Sequence, residues 1–138
     1  FPITDKEMTR FFVRVEDGVK FVLKSFERMY GGEIFIPKIN SIKILDIAKA
    51  INIKAKIKII GIRPGEKLHE ILCPQDEAHL TLEYKDYYMI KPSIGLEVEN
   101  NYKKNALRET GKAVPKNFKY SSFKNSFLSI SQIKKLID

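Results

Sequence analysis

Residues 57–70 read IKIIGIRPGEKLHE, and this segment places a predicted strand, a turn and a predicted helix in direct succession. Isoleucine dominates its first half, which favours a strand because β-branched side chains pack well on a pleated surface. Pro64-Gly65 is typical of a tight turn. We expect residues 66–72 to open a short helix, so that Arg63 and Glu66 flank the turn.

The residue types on either side of this turn indicate a nucleotide ligand. Arg63 offers a planar fork of donors that suits phosphate oxygens, and the Glu66 carboxylate can accept hydrogen bonds from sugar hydroxyls. Together they predict a site for a nucleotide or a nucleotide-sugar. The alternative interpretation is a surface turn that carries a solvated ion pair.

Composition limits the class of protein. A chain of 138 residues is long enough for one ordinary domain. Its hydrophobic fraction of 43% and charged fraction of 30% are those of a globular protein, and no apolar run approaches the roughly 20 residues that a membrane helix requires. Cys73 is the single cysteine, which excludes an internal disulfide and a cysteine-based zinc site and fits the cytoplasm. Because the chain begins with Phe and shows no signal-peptide pattern, we expect a fragment of a longer cytoplasmic protein.

The net charge of +8 raises the alternative of a small basic module that binds nucleic acid or another polyanion. The distribution of charge does not favour it. Residues 102–138 carry 9 basic and 2 acidic side chains, whereas the lysines of the first half alternate with Ile and Ala as on a solvated face. We therefore do not expect nucleic acid as the partner.

Hydrophobic periodicity predicts alternating strands and helices. Apolar residues from Val15 to Met29 recur at spacings of 4, 3, 4 and 3, which predicts an amphipathic helix closed by Gly31-Gly32. Thr4 and Glu7 have the spacing of a capping box, which predicts a short helical turn. Further strands are predicted over residues 8–13, 33–36, 53–59 and 86–92, and further helices over residues 41–51 and 128–137. Such alternation indicates an α/β fold.

Motifs of complete dinucleotide and nucleotide enzymes are absent from the sequence. Neither G-x-G-x-x-G nor a P-loop occurs, so we do not expect a self-contained dinucleotide or nucleoside triphosphate enzyme. Two matches to Y-x-x-x-K, Tyr87 with Lys91 and Tyr120 with Lys124, resemble the spacing of a dehydrogenase tyrosine and lysine. That chemistry needs the two side chains one helical turn apart, and neither pair falls in a predicted helix.

The two histidines do not predict a metal site. His69 and His79 lie ten residues apart beside acidic neighbours, a spacing that matches no familiar metal motif. We predict a local hydrogen bond for His69 and no bound metal.

Several segments taken in order resemble one family of enzymes. They read MTRFF at 8–12, EIFIP at 33–37, KILDIA at 43–48, GIRPGEKLHE at 61–70 and DYY at 86–88. Together with the tail from Pro115 to Leu128, they resemble the C-terminal part of the UDP-N-acetylglucosamine 4,6-dehydratases, including the inverting kind. These lyases are extended short-chain dehydrogenase/reductase proteins of surface polysaccharide and flagellin-sugar biosynthesis.

The resemblance implies an α/β fold that is the C-terminal portion of such a protein, with the substrate-binding part and the last elements of an incomplete Rossmann domain. Residues 1–92 would be the nucleotide-sugar-binding region, and residues 93–138 a basic tail with a short terminal helix. In the family the glycine-rich loop and the catalytic residues precede the matched segment. The resemblance therefore implies that this chain holds no catalytic or cofactor-binding residue and is inactive alone. NADP would be bound by the full-length enzyme.

The resemblance also assigns roles to four residues. Arg10 and Arg63 would contact the diphosphate of UDP-N-acetylglucosamine, Thr9 would support the diphosphate, and Glu66 would hold the ribose hydroxyls. The implied partners are the UDP-sugar, the missing N-terminal Rossmann half and, at full length, further copies in a homo-oligomer. The helix from Val15 should then expose apolar surface, because it would pack against the missing half.

Overall fold

The computed structural model describes residues 1–93 and 101–137, and its chain separates into two compact units. The first unit comprises Phe1–Arg14, Ile39–Ile71 and Tyr120–Asp138, and the second comprises Val15–Lys38 and Leu72–Lys119. The mixed α/β fold class predicted from the sequence is confirmed. The proposed division after residue 92 into a binding region and a tail stays a prediction, and residues 94–100 of that tail lie outside the described residues.

The first unit is built from short strands and two helices. Its strands are β1 (Pro2–Ile3), β2 (Thr9–Phe11), β4 (Ser41–Lys43), β5 (Lys58–Ile59) and β10 (Tyr120–Ser121), and its helices are α2 (Ile44–Ile51) and α3 (Ile130–Ile137). Strand β1 pairs with β5 in parallel, and β2 pairs with β4 in antiparallel register. Helices α2 and α3 close a core around the buried side chains of Ile42, Ala50 and Ile133.

The second unit is a helix with an antiparallel sheet. The helix is α1 (Val15–Arg28), and the sheet has the order β3 (Ile34–Pro37), β8 (Tyr87–Ile90), β7 (Thr81–Glu83), β9 (Lys112–Ala113). Strand β6 (Ile71–Cys73) and a 3₁₀ helix (Gln75–Leu80) precede β7. The core contains Leu82, Met89 and the stacked rings of Tyr84 and Tyr87, whose centroids are 4.5 Å apart.

The local hydrophobic periodicities predicted several of these elements well. Helix α1 and strands β2, β3 and β8 lie where the sequence predicts them, as does the last helix. That helix begins with a capping box, because Ser129 Oγ accepts from the Gln132 backbone N–H at 3.3 Å and Gln132 Oε1 accepts from the Ser129 N–H at 2.8 Å. Helix α2 begins at Ile44, later than predicted, because Ser41 lies in strand β4. The predicted strand 53–59 shortens to Lys58–Ile59, since the chain first turns back at residues 52–55.

Two predicted helical segments are wrong. The Thr4 to Glu7 capping box does not form: Asp5 Oδ1 accepts from the Glu7 backbone N–H at 2.7 Å, which makes an Asx turn instead. Residues 66–72 are not helical, because their backbone groups bond elsewhere. The Leu68 carbonyl accepts from the Thr9 N–H at 3.0 Å, and the Glu70 N–H donates to Ser122 Oγ at 2.9 Å.

Helix α1 exposes a row of apolar side chains. Val15, Val19, Val22 and Phe26 are 79%, 52%, 53% and 66% exposed, and we call these residues the α1 apolar face. Large exposed apolar patches mark surfaces that another chain or segment covers. The predicted exposure of apolar surface along this helix is confirmed. No helix within residues 1–93 and 101–137 has the length and apolar character needed to cross a membrane.

A buried cation ties α1 to the loop that precedes β9 in the second unit. Arg28 is 5% exposed, its Nε donates to Glu109 Oε1 at 2.9 Å, and its guanidinium carbon lies 4.4 Å from the ring centroid of Tyr87. The hydrogen bond from Arg28 lowers the pKa of the Glu109 carboxyl, and burial opposes this only in part. Asn105 donates to the same Glu109 oxygen at 2.9 Å and to the Tyr87 hydroxyl at 2.9 Å.

Acid should weaken the protein through Glu109. Because the folded pKa of this carboxyl lies below its ordinary value of 4.5, its contribution to stability is present above that value and is lost as the pH falls through the folded pKa. In urea titrations between roughly pH 6 and pH 3, the Glu109→Gln variant should lose less stability on acidification than the parent. The exposed Glu7→Gln variant is the control. Parallel pH curves for the parent and Glu109→Gln would contradict this role.

Gly111 should not tolerate a side chain, whereas Gly18 should. A Cβ at Gly111 would lie 2.5 Å from Tyr84 Cε2, and that ring cannot move freely because it is stacked on Tyr87 and its hydroxyl donates to the Tyr102 carbonyl at 2.6 Å. Gly111→Ala should therefore cost about 1–3 kcal/mol in the free energy of unfolding. Gly18 lies in α1 with open space around it, so Gly18→Ala should stabilise by about 0.5–1 kcal/mol. Urea unfolding measures both, and equal effects would refute the distinction.

Candidate functional site

The candidate site lies in the first unit, around the turn from Arg63 to Glu66. Pro64 and Gly65 occupy its two central positions, Gly65 has φ +80°, and the Glu66 N–H donates to the Arg63 carbonyl at 3.0 Å. These are the features of a type II turn, in which glycine relieves the strain of a positive φ. Proline and glycine together therefore set the path of the backbone here.

Glu66 holds this turn through both carboxylate oxygens. Oε2 accepts from the backbone N–H of Arg63 at 3.1 Å, and Oε1 accepts from the Thr4 hydroxyl at 3.2 Å. A carboxylate oxygen can accept more than one hydrogen bond, so sugar hydroxyls could still bind there. The ion pair between Arg63 and Glu66 side chains that the alternative interpretation requires is not formed among the described residues.

The guanidinium of Arg63 is the exposed cation of the turn. Its residue is exposed, and no hydrogen bond or salt bridge joins its side chain to the rest of residues 1–93 and 101–137. Only its backbone is engaged, by Glu66. An unpaired guanidinium on a rigid turn can meet an anionic ligand without first giving up a protein partner.

Arg10 lies in β2 and clamps the segment that follows the turn. Its Nη1 donates to the carbonyls of Thr9 at 2.7 Å and Leu68 at 3.2 Å, and its Nη2 donates to the Lys67 carbonyl at 2.8 Å. Its Nε lies 3.5 Å from Glu70 Oε1. Most of the donors of this guanidinium are thus used within the protein. Arg10 fixes the backbone at residues 67–70 and has little capacity left for a diphosphate.

Thr9 lies beneath the segment and is 2% exposed. Its Oγ1 is 2.7 Å from His69 Nδ1 and 2.7 Å from Ser122 Oγ, and Ser122 Oγ accepts from the Glu70 N–H at 2.9 Å. The ring of His69 lies against the exposed ring of Phe123, with the centroids 4.5 Å apart. The buried hydroxyls of Thr9 and Ser122 therefore hold residues 69 and 70 in place.

The four residues predicted from the sequence fall into two pairs. Arg63 and Glu66 share one turn, whereas Thr9 and Arg10 are neighbours on β2 that contact residues 67–70. His69 and Ser122 were not predicted to belong to the site. His69 was assigned a local hydrogen bond, and its partner Thr9 is 60 positions away. No pattern in the sequence signals the Thr9 to Ser122 contact, which spans 113 positions.

Neither tyrosine of the Y-x-x-x-K pairs lies in a helix, and both are buried. Tyr87 is fully buried under Arg28 in strand β8, and Tyr120 lies in β10, where its hydroxyl donates to the Ile39 carbonyl at 2.9 Å. Burial raises the pKa of both phenols. A tyrosine that exchanges protons near neutral pH needs the opposite shift.

No metal site appears in the part of the chain that the structure describes: its His, Cys, Asp and Glu side chains do not gather into a group of three that could hold an ion. Cys73 is buried, and burial raises the pKa of its thiol. Such a thiol is a poor nucleophile.

A family model described as "Polysaccharide biosynthesis protein" matches residues 1–92. A UDP-N-acetylglucosamine 4,6-dehydratase (inverting) from Campylobacter jejuni is 57% identical over 125 residues, which are 90% of this chain and 37% of the relative. A UDP-glucose 4-epimerase from Rickettsia rickettsii is 35% identical over 139 residues, covering 98% of this chain and 40% of the relative. The chain thus spans about two-fifths of the length of the curated relatives it matches.

A solved structure supports the same relationship. The X-ray structure of Pen from Bacillus thuringiensis superposes with a TM-score of 0.76 at 27% identity, over 99% of this chain and 40% of that chain. The resemblance to the dehydratases and the predicted fold, the C-terminal portion of an extended short-chain dehydrogenase/reductase, are both confirmed.

Loss of the Arg10 clamp should loosen the segment 67–70. Arg10→Met removes the hydrogen bonds to the Lys67 and Leu68 carbonyls and should cost about 1–2 kcal/mol in the free energy of unfolding. It should also speed amide hydrogen exchange at residues 68–70. Arg63→Met is the matched control and should stay within about 0.5 kcal/mol of the parent, because that side chain is exposed. Equal losses in the two variants would show that Arg10 is not the clamp.

Proposed function

We propose that this chain, which belongs to the polysaccharide biosynthesis protein family, forms the UDP-sugar-binding part of a UDP-N-acetylglucosamine 4,6-dehydratase. Such an enzyme would act in the synthesis of surface polysaccharide or flagellin sugars. The observation that carries the proposal is the exposed guanidinium of Arg63, held on a rigid turn whose Glu66 carboxylate is bonded to backbone and not to that guanidinium. The 57% identity to a dehydratase of that name supports the choice of substrate.

Within this proposal the residues have distinct roles. Arg63 binds the diphosphate of the UDP-sugar by charge-assisted hydrogen bonds. Glu66 accepts from the ribose hydroxyls with the lone pairs that Thr4 and the turn leave available. Thr9 and Arg10 position residues 67–70, which lie between them and the ligand. Because most N–H groups of the Arg10 guanidinium bond to the protein, only its remaining N–H group can contact the diphosphate.

The oxidation, elimination and reduction steps lie outside this chain in the proposal. The sequence has no glycine-rich loop that could let the backbone approach a pyrophosphate, so we assign no NADP-binding residue to it. NADP would be held by the Rossmann half of the longer protein, where it would accept a hydride in the oxidation step and return it in the reduction step. What this chain contributes is affinity for the nucleotide end of the substrate.

The α1 apolar face supports the existence of that other half. Val22 and Phe26 of this face also line a cavity of about 210 Å³, together with side chains that include Phe21 and Phe35. Water would fill this apolar concavity at a cost in free energy unless another part of the protein covered it. We propose that the Rossmann half covers it in the longer protein.

Calorimetric titration with UDP and with uridine tests the binding role. Arg63→Ala should weaken UDP binding on the order of tenfold or more, since a hydrogen bond to a charged group is lost, and should leave uridine binding unchanged. Lys67→Ala, which removes the same charge from an exposed neighbour, is the matched control. If the two variants lose UDP affinity equally, and the affinity of the parent falls steeply as the salt concentration rises, the chain is a general polyanion binder. If neither nucleotide binds the parent, the proposed function fails.

A further inference from the structure

A chain of hydrogen bonds beneath the candidate site reaches the imidazole of His69. It runs from the Glu70 backbone N–H to Ser122 Oγ (2.9 Å), from there to Thr9 Oγ1 (2.7 Å), and on to His69 Nδ1 (2.7 Å). Ser122 is fully buried and Thr9 is 2% exposed. Buried hydroxyls need a partner for their proton as well as for their lone pairs.

Only one order of protons satisfies every member of this chain. Ser122 Oγ already accepts from the Glu70 N–H, so its own proton must find an acceptor, and Thr9 Oγ1 is the acceptor within reach. The Thr9 hydroxyl must then donate its proton onward to His69 Nδ1. The reverse order would leave the Ser122 proton buried without a partner, which is unfavourable.

This order fixes the tautomer of the neutral imidazole. Nδ1 of His69 is the acceptor, and the ring proton is therefore on Nε2. Nε2 makes no hydrogen bond with residues 1–93 or 101–137, and His69 is half-buried on the segment that also carries Arg63 and Glu66. The site thus carries a directed N–H donor whose position is held from below.

We propose that His69 is a further substrate-binding residue, which presents Nε2–H to a phosphate oxygen of the nucleotide, and that Thr9 and Ser122 are positioning residues that set its tautomer. This inference rests on the proposed function, because it assigns a second donor to the phosphate that Arg63 binds. The exposed guanidinium of Arg63 alone does not fix the orientation of a bound phosphate. A second N–H donor of fixed direction, from His69, would favour one orientation.

The tautomer can be read directly from the nitrogen resonances of the two histidines. His79 is a built-in reference of opposite kind, because its Nδ1 lies 2.9 Å from the Asp76 carbonyl and must carry the proton there. In ¹⁵N-labelled protein with both imidazoles neutral, we expect the ring proton of His69 on Nε2 and that of His79 on Nδ1. A proton on Nδ1 of His69 in the parent protein would overturn the inference.

Variants of the hydrogen-bond chain show whether Thr9 and Ser122 set the tautomer. Thr9→Val and Ser122→Ala should each give His69 a mixture of tautomers, whereas Thr9→Ser keeps the hydroxyl and should keep the parent spectrum. Two variants are used because either loss of a buried hydrogen bond could reduce folding, which circular dichroism monitors. An unchanged His69 spectrum in a folded Thr9→Val or Ser122→Ala protein would refute the positioning role.

Two amide substitutions distinguish the role of His69 Nε2 from that of Nδ1. His69→Gln places an amide N–H where Nε2 lies and should bind UDP within about threefold of the parent, while His69→Asn keeps only the inner polar position and should lose on the order of tenfold. Uridine binding should not distinguish the variants. Equal UDP affinities, or an equal loss for uridine, would overturn the phosphate contact.

The two proposals can fail separately. If the parent protein does not bind UDP, the proposed function fails, and the tautomer measured without ligand still decides the order of protons. If UDP binds and Arg63→Ala abolishes binding while His69→Asn does not weaken it, the proposed function stands and the contact from His69 is wrong.

Discussion

The candidate site depends on one constraint: the backbone of residues 63–70 has no regular secondary structure, so its polar groups must be satisfied from elsewhere. A helix or a sheet would pair these groups within the element itself. Here the Lys67 and Leu68 carbonyls accept from Arg10, the Glu70 N–H donates to Ser122, and the Arg63 N–H donates to Glu66. Each of these side chains therefore holds an irregular segment in a single conformation, which is what a binding site requires.

A similar requirement governs the second unit, where the buried polar group is a cation. Arg28 can be buried because Glu109 and Asp86 supply charge and the face of Tyr87 covers the guanidinium. Burial alone would lower the pKa of this guanidinium, but the hydrogen bonds with Glu109 and Asp86 raise it overall. The loop around Asn105 is held to the end of α1 as a result. Removing one partner of such a cluster costs more than the cluster contributes as a whole, because it leaves a buried charge uncompensated.

The sequence predicted the elements whose pattern is local and failed where long-range contacts decide. Helix α1 and helix α3 follow from apolar spacing, a signal that repeats every three or four residues. The helix expected at residues 66–72 had an acceptable local pattern, yet its carbonyls are claimed by Arg10, which lies 57 and 58 positions away. The same difference between local and long-range signals explains which residues of the site were predicted. Arg63 and Glu66 were predicted from one turn, whereas His69 and Ser122 enter through Thr9, and a single sequence carries no trace of that contact.

The geometry of the turn also bears on the two interpretations that the sequence left open, a nucleotide site and a solvated ion pair. An Arg and a Glu three residues apart are ordinarily expected to form a surface ion pair, which contributes about 0–1 kcal/mol and leaves no vacant charge. In the type II turn the Glu66 carboxylate instead accepts from the Arg63 backbone and from Thr4. Both carboxylate oxygens are thereby hydrogen-bonded within the protein, and the exposed guanidinium forms no ion pair with them. A guanidinium that forms no ion pair among the described residues can meet an anionic ligand, which supports our proposal that it binds the phosphate of a nucleotide-sugar.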